Sequence, residues 1–362
     1  MKILIIGFTK IKYMPYLNFY FDNINKKNEI HILYWNRDLK GEDLTKFENV
    51  IFHEFRCFQK DDISKITKIR SFIKYKKFAK EILKKNNFDF VIVLHTLPGV
   101  LISNVLFKEY LQKYILDYRD STYEWFFPFK KRIGRLVKNS KYTFVSSKGF
   151  VKYLPDLEKH KIYISHNLLL DSLNHRKDRE KEFAFSDRIR ISFWGFIRQK
   201  ELNISIIDKI SKDNRFELHY YGREQQIAFE LKEHVNNNEI KNVFFHGEYR
   251  PEDRYKFIQN TDLIHNIYFD RNSMLSMGNK YYDGIIFKIP QLCMKDSYMG
   301  QRAMLNGIGL ECDPFKADFT DAIFSYYRSL QLDQFNKNCD MELECVLKEY
   351  QTGEQIINEC TL

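Results

Sequence analysis

Short apolar runs alternate with longer segments of helical or polar pattern along most of the chain. In the first half the runs are KILIIGF at 2–8, EIHILYW at 29–35, FDFVIVLH at 88–95, YILDY at 114–118, YTFVSS at 142–147 and KIYISH at 161–166. Each is too short for a helix and rich in Ile, Val, Phe and Tyr, which predicts strands buried on both faces of a parallel sheet. Among the segments between them, 66–83 has the clearest helical period. There Ile66, Ile69, Phe72, Ile73, Ala79, Ile82 and Leu83 recur three to four residues apart, which predicts an amphipathic helix with those residues toward the core. Residues 90–107 carry no formal charge over nearly the length that spans a bilayer, about 20 residues. His95, Pro98, Gly99 and Asn104 interrupt them, so the segment reads as a strand, a turn and a helix start.

The alternation stops at 171–187, which is charged and largely without apolar periodicity, and reads as a linker. A second series follows, with RIRISFWGF at 188–196, FELHYYG at 216–222, NVFFHG at 242–247, DLIHNIY at 262–268 and IPQLCM at 289–294. The prediction is an α/β protein of two doubly wound, Rossmann-like domains, 1–170 and 188–338, facing across a cleft. A length of 362 residues agrees with two domains at roughly 100 to 200 residues each. In open parallel sheets ligands sit beyond the carboxyl ends of the strands, so the residues that end strands are the ones to read for chemistry.

In the second series one strand ends at Gly195, with Arg198 and Lys200 just beyond. A guanidinium fork and a point charge suit a pyrophosphate, although a turn with two solvated cations has the same pattern. The next two strands also end in glycine, at Gly222 with Arg223 following and at Gly247 after His246, which implies close backbone approach or sharp turns. His246 fits either a binding site or a loop histidine bonded to a carbonyl. In 273–293, Ser276, Gly278 and Asn279 precede a helix beginning near Lys280, so free N–H groups and the helix dipole are placed to receive a phosphate. Asp283, in the first turn, is either a partner for ribose hydroxyls or a dipole-compensating residue. In the first series, Gly7 and Thr9 follow the first strand, His95 ends another, and Asp117, Arg119 and Asp120 end a third. His95 or Asp120 is a candidate general base for a hydroxyl, while Asp117 and Arg119 fit either a structural ion pair or a catalytic role.

The segment GNKYYDGIIFKIPQL, followed by GIGLECDP, resembles the nucleotide-binding half of GT-B fold glycosyltransferases, whose pattern is roughly N-K-hydrophobic-Y-E-Y-x-x-x-G-x-P-V. LDYRDSTYEW at 116–125, TFVSSKGF at 143–150 and KIYISHNLL at 161–169 extend the resemblance over both domains. The nearest kin it suggests are family-4-like bacterial enzymes of capsule and lipopolysaccharide assembly. The resemblance implies that Asp283 binds the ribose of a nucleotide sugar, and that the segment 339–362 is a helix returning to the first domain, which the spacing of Leu343, Val346, Leu347 and Tyr350 permits. Two departures stand out, Asp283 for the usual Glu and Lys288 for the usual Gly. The activity implied is transfer of a sugar from a nucleotide donor to a glycan or lipid-linked acceptor. A catalytically silent partner of another transferase and a nucleotide-sugar epimerase are the alternatives on the same fold.

Charge adds a partner. With 58 Lys and Arg against 48 Asp and Glu the chain is basic, and 56–85 alone holds eleven cations against three acids. A second cluster lies in 130–141. Both suit an anionic membrane surface, or are simply solvated helix faces. No nucleic-acid motif accompanies the charge, and nucleic acid is not expected as a partner. The chain has no D-x-D motif, and its six cysteines are scattered without metal spacing. Leaving-group stabilisation by cations and a helix N-terminus, with no metal or other cofactor, is therefore expected. The six-residue apolar start lacks a cleavage site and reads as a strand, with the protein cytoplasmic.

Overall fold

The computed structural model describes residues 1–59, 64–180, 182–183, 188–250 and 253–362. The chain divides into two compact units, Met1–Asn167 with Leu347–Leu362, and Leu168–Val346. Of the linker expected at 171–187, residues 181 and 184–187 lie outside the described set. The rest of it is docked on the second unit. Arg179 pairs with Asp262 at 3.3 Å, and the Phe183 ring meets Tyr327 and Phe335 edge-on at 5.4 and 5.3 Å. Burying one aromatic and one guanidinium is enough to seat a segment whose pattern looks polar.

The first unit contains β1 (Lys2–Ile6), α1 (Leu17–Phe21), β2 (Glu29–Asn36), β3 (Val50–Arg56), α2 (Lys65–Asn86), β4 (Phe90–Leu94), α3 (Thr96–Glu109), β5 (Tyr114–Tyr118), α4 (Phe127–Asn139), β6 (Tyr142–Val145) and β7 (Ile162–Ile164). Its strands are all parallel, in the order β3-β2-β1-β4-β5-β6-β7. The second unit contains β8 (Ile189–Trp194), α5 (Lys200–Ile210), β9 (Phe216–Tyr221), α6 (Gln226–Asn237), β10 (Val243–Phe245), α7 (Arg254–Ile258), β11 (Leu263–Asn266), α8 (Asn279–Ile286), β12 (Gln291–Met294), α9 (Tyr298–Leu305), β13 (Gly309–Cys312) and α10 (Phe319–Ser329). Its strands are also parallel, in the order β10-β9-β8-β11-β12-β13. The helix α11 (Leu332–Cys360) begins in the second unit and ends in the first. Both sheets are the doubly wound arrangement expected. Among the described residues no helix is long and apolar enough to cross a membrane.

The helix expected over 66–83 forms, with Phe72, Ala79 and Leu83 of the expected face turned inward and three of its isoleucines outward. Ser71, Tyr75, Ala79 and Leu83 are buried, whereas Ile66, Ile69 and Ile73 are 65, 56 and 60% exposed. Tyr75 sets the rotation of α2. Its ring lies 4.8 Å from Phe8 and 5.7 Å from Trp35, and its hydroxyl donates to the Gly7 carbonyl at 2.6 Å. Tyr75, Phe72, Ala79 and Leu83 thus fill the contact with the sheet, and Ile66, Ile69 and Ile73 are left outside.

Candidate functional site

Each sheet has one switch point, where the chain reverses its direction of winding and the strand ends diverge. In the first unit it lies between β1 and β4, which brings Gly7 and Thr9, beyond β1, next to His95, beyond β4. His95 has φ 86°, rarely adopted by a residue with a side chain. Its N–H donates to the Asp117 carbonyl at 2.9 Å, which holds the backbone there as α3 begins. Its Nε2 stands 3.6 Å from an Asp120 carboxylate oxygen, while Nδ1 is buried without a partner among the described residues. The two predicted acceptor-side residues are therefore brought together, with the Asp120 carboxylate half exposed. Asp117 and Arg119 form a buried ion pair at 2.8 Å. Arg119 also donates to Asn167 Oδ1 at 2.7 Å and Ser165 Oγ at 2.9 Å, anchoring the turn that carries Asp120.

In the second unit the switch point lies between β8 and β11. Gly195 ends β8 with φ 120°, and Gly222 ends β9 so near it that a Cβ would stand 1.9 Å from the Gly195 carbonyl oxygen. Glycine at 222 thus serves the approach of two strand ends. The turn after Gly195 is tied to the loop after β11, where the Phe269 N–H donates to Gln199 Oε1 at 2.8 Å. Arg198 is exposed on this turn, its guanidinium 5.8 Å from the Tyr268 ring. Lys200 is the first residue of α5 and pairs with Glu230 at 2.8 Å, a bond that raises its pKa. A free cation was expected there, but two adjacent helices satisfy this one. Arg223 is exposed beyond β9. His246, beyond β10, stacks on Tyr221 at 4.2 Å and shares a hydrogen bond of 3.0 Å with His219, and burial lowers the pKa of both imidazoles.

The helix expected near Lys280 is α8, N-capped by Gly278 with no side chain bonded across its end. Ser276 is part-buried just before it and Asn279, its first residue, is exposed. Lys280 is only 7% exposed. Its ammonium lies 4.2 Å from the Phe193 ring centre and is hydrogen-bonded to the Tyr268 hydroxyl, with no carboxylate partner among the described residues. Near it, His265 is fully buried, its Nε2 without a partner among the described residues, and burial, reinforced by the nearby Lys280 charge, lowers its pKa to about 3.

Asp283 is buried on the inner side of α8. One carboxylate oxygen accepts the Trp194 indole N–H at 2.9 Å and the other faces Arg254 at 3.4 Å, while Arg254 also donates to Ser172 Oγ at 2.7 Å. Burial raises its carboxyl pKa, against the opposing pull of Arg254 and the indole N–H. Trp194, Arg254, His265 and Tyr268 are additions that the sequence pattern does not mark. Only Trp194 and Tyr268 stand at or just beyond a strand end, the one signal that could have found them.

His265 also makes stability depend on pH. The unfolded imidazole titrates near pH 6.5, well above the folded one, so the unfolded state takes up the proton first on acidification. The contribution is complete above about pH 6.5 and is lost as pH falls toward 3. Urea unfolding between pH 7 and 4 is expected to show this slope, and His265→Phe to flatten it by up to about 1.4 kcal/mol per pH unit. An unchanged slope means that other groups dominate.

No family model matches the sequence, and no curated protein matches it. Solved structures do match over nearly the whole chain. A glycosyltransferase from Rickettsia africae is 14% identical with a TM-score of 0.69, covering 99% of this chain and 98% of its own. A sucrose-phosphate synthase from Thermosynechococcus elongatus is 10% identical with a TM-score of 0.71, at the same coverage of 99% and 98%. HepE from Anabaena, solved with UDP and glucose, is 12% identical with a TM-score of 0.66, again covering 99% and 98%. The fold is therefore the two-domain GT-B architecture. It also occurs in UDP-GlcNAc 2-epimerases, so the fold alone does not select the reaction.

Proposed function

We propose that the protein is a glycosyltransferase of bacterial surface polysaccharide synthesis, moving a sugar from a nucleotide donor to a hydroxyl of a glycan or lipid-linked saccharide without a metal ion. The observation that carries this is Lys280. A buried ammonium bonded to a phenol and packed on an aromatic ring, with no carboxylate in bonding distance among the described residues, at a helix N-terminus that no side chain caps, is half of an ion pair that a diphosphate completes. Departure of a nucleoside diphosphate leaves charge on its terminal phosphate, which Lys280, the α8 N–H groups and Arg198 stabilise. In the first unit, Asp120 backed by His95 takes the proton of the acceptor hydroxyl. HepE, of like fold, was solved with UDP and glucose, which supports a uridine nucleotide as the first donor to try.

The test is thermal stability of wild type and Lys280→Met with UDP, GDP, CMP and dTDP, each with and without magnesium. One nucleotide at about 100 times its Kd is expected to stabilise wild type by about 2.7 kcal/mol, with or without magnesium, and to leave the variant unshifted. No shift with any nucleotide, in folded wild type, overturns the proposal. A second reading, a silent partner of another transferase, is favoured by one observation: both oxygens of Asp283 are already engaged by Trp194 and Arg254. That outcome is what it predicts.

A further inference from the structure

The three tryptophans are of two kinds. Trp35 and Trp194 are buried, whereas Trp125 is 67% exposed and is followed by Phe126 and Phe127 at 52 and 72%. Three consecutive exposed aromatics are unusual on a water-facing surface. They are held out by an ordered turn. Glu124, buried just before them, accepts the Tyr118 hydroxyl at 2.8 Å and the Thr122 N–H, and the Phe129 N–H donates to the Phe126 carbonyl at 2.9 Å as α4 begins. Phe129 turns inward to meet Tyr123 at 5.6 Å.

The outward isoleucines of α2 lie on the same side of this unit. α2 packs on α3 and α3 on α4, so the three helices cover one face of the sheet. α2 starts after the carboxyl end of β3, and the aromatic turn follows the carboxyl end of β5. Ile66 and Ile69, in the first turns of α2, therefore stand toward the same rim as Trp125–Phe127, with Ile73 about 12 Å from the helix start at 1.5 Å per residue, and that rim is also where β4 ends at His95. Exposed cations accompany both patches, Arg70 and Lys77 on the outer face of α2, Lys130 and Lys131 on α4.

We propose that this rim docks on an anionic phospholipid bilayer, with Trp125, Phe126 and Phe127 inserted at the interface and the isoleucines and cations of α2 meeting the headgroups. Aromatic rings prefer the headgroup level, and Lys and Arg beside apolar side chains match an anionic leaflet better than a neutral protein surface. The inference deepens the transferase reading, by bringing a lipid-linked acceptor to the end of β4, and rests on that reading for its purpose. Its test reads lipid binding, so the two fail separately.

The experiment is sedimentation of the full chain with phosphatidylglycerol-containing vesicles and with pure phosphatidylcholine vesicles, alongside quenching of tryptophan fluorescence by brominated lipid. Wild type is expected to bind the anionic vesicles, more weakly at high salt, and its emission to be quenched through Trp125, the other two indoles being shielded. Trp125→Ser/Phe126→Ser/Phe127→Ser, at exposed positions, is expected to bind about tenfold or more weakly with unchanged circular dichroism and nucleotide response. Absence of binding overturns the proposal, as does binding without quenching of wild type, which needs no variant. Wild-type self-association without lipid binding, relieved by the triple variant, overturns it in favour of a second copy of the chain.

Discussion

Asp120→Asn is expected to lower turnover by about two to four orders of magnitude, the usual contribution of a positioned general base. The carboxylate is half exposed at the end of the turn anchored by the Asp117–Arg119 pair, and His95 stands behind it at 3.6 Å. Asparagine keeps the shape and removes the basic oxygen. His95→Gln acts through Asp120 and is expected to cost less, with a shift in the pH–rate profile that a purely structural change would not give. The measurement is release of nucleoside diphosphate from the nucleotide sugar chosen by the stability screen, with and without acceptor. Both variants are expected to keep the wild-type nucleotide shift, because neither residue belongs to the unit proposed to bind the donor. Full turnover in Asp120→Asn assigns the proton transfer elsewhere.

Asp283→Ala is expected to destabilise the protein by about 3 to 5 kcal/mol, as when one partner of a buried ion pair is removed. Arg254, whose side chain is 12% exposed, would lose its carboxylate, and its Nε is already without a partner among the described residues. The Trp194 indole N–H would lose its acceptor as well, adding the cost of a buried unsatisfied donor. Asp283→Asn keeps an acceptor for the indole and is expected to lose less. Urea unfolding of the three proteins decides the matter. A variant as stable as wild type but deaf to nucleotide would return Asp283 to the ribose role that the family resemblance implies.

The sheets were legible because their central strands are buried on both faces, and a short, continuous apolar run bounded by polar segments suits few elements besides such a strand. Two of the four edge strands, β3 and β13, were less so. β3 has only VIF before polar and apolar residues alternate in HEFR, and β13 is the four-residue GLEC. α2 was found but rotated, because periodicity counts isoleucines and overlooks a tyrosine whose ring and hydroxyl both have partners in the core. In the candidate site, His95 with Asp120 follows from where strands end, and the α8 N-terminus with Lys280 from Ser276, Gly278 and Asn279 ahead of a helical segment. The engagement of Lys200 by Glu230 and of Asp283 by Trp194 and Arg254 does not. Those partners are far apart in the chain, and only the packing of helices on the sheet brings them together.

The passage of α11 from one unit to the other bears on the order in which the protein is made. Within the first unit, Glu349 bonds Lys148 at 2.6 Å and His166 at 2.9 Å, and Tyr350 meets Phe19 at 4.8 Å. These partners leave the ribosome early, whereas Glu349 and Tyr350 leave only after the whole second unit. The unit synthesised first thus cannot be completed first, and its sheet must wait, partly covered, for the last turns of a helix translated after the second unit.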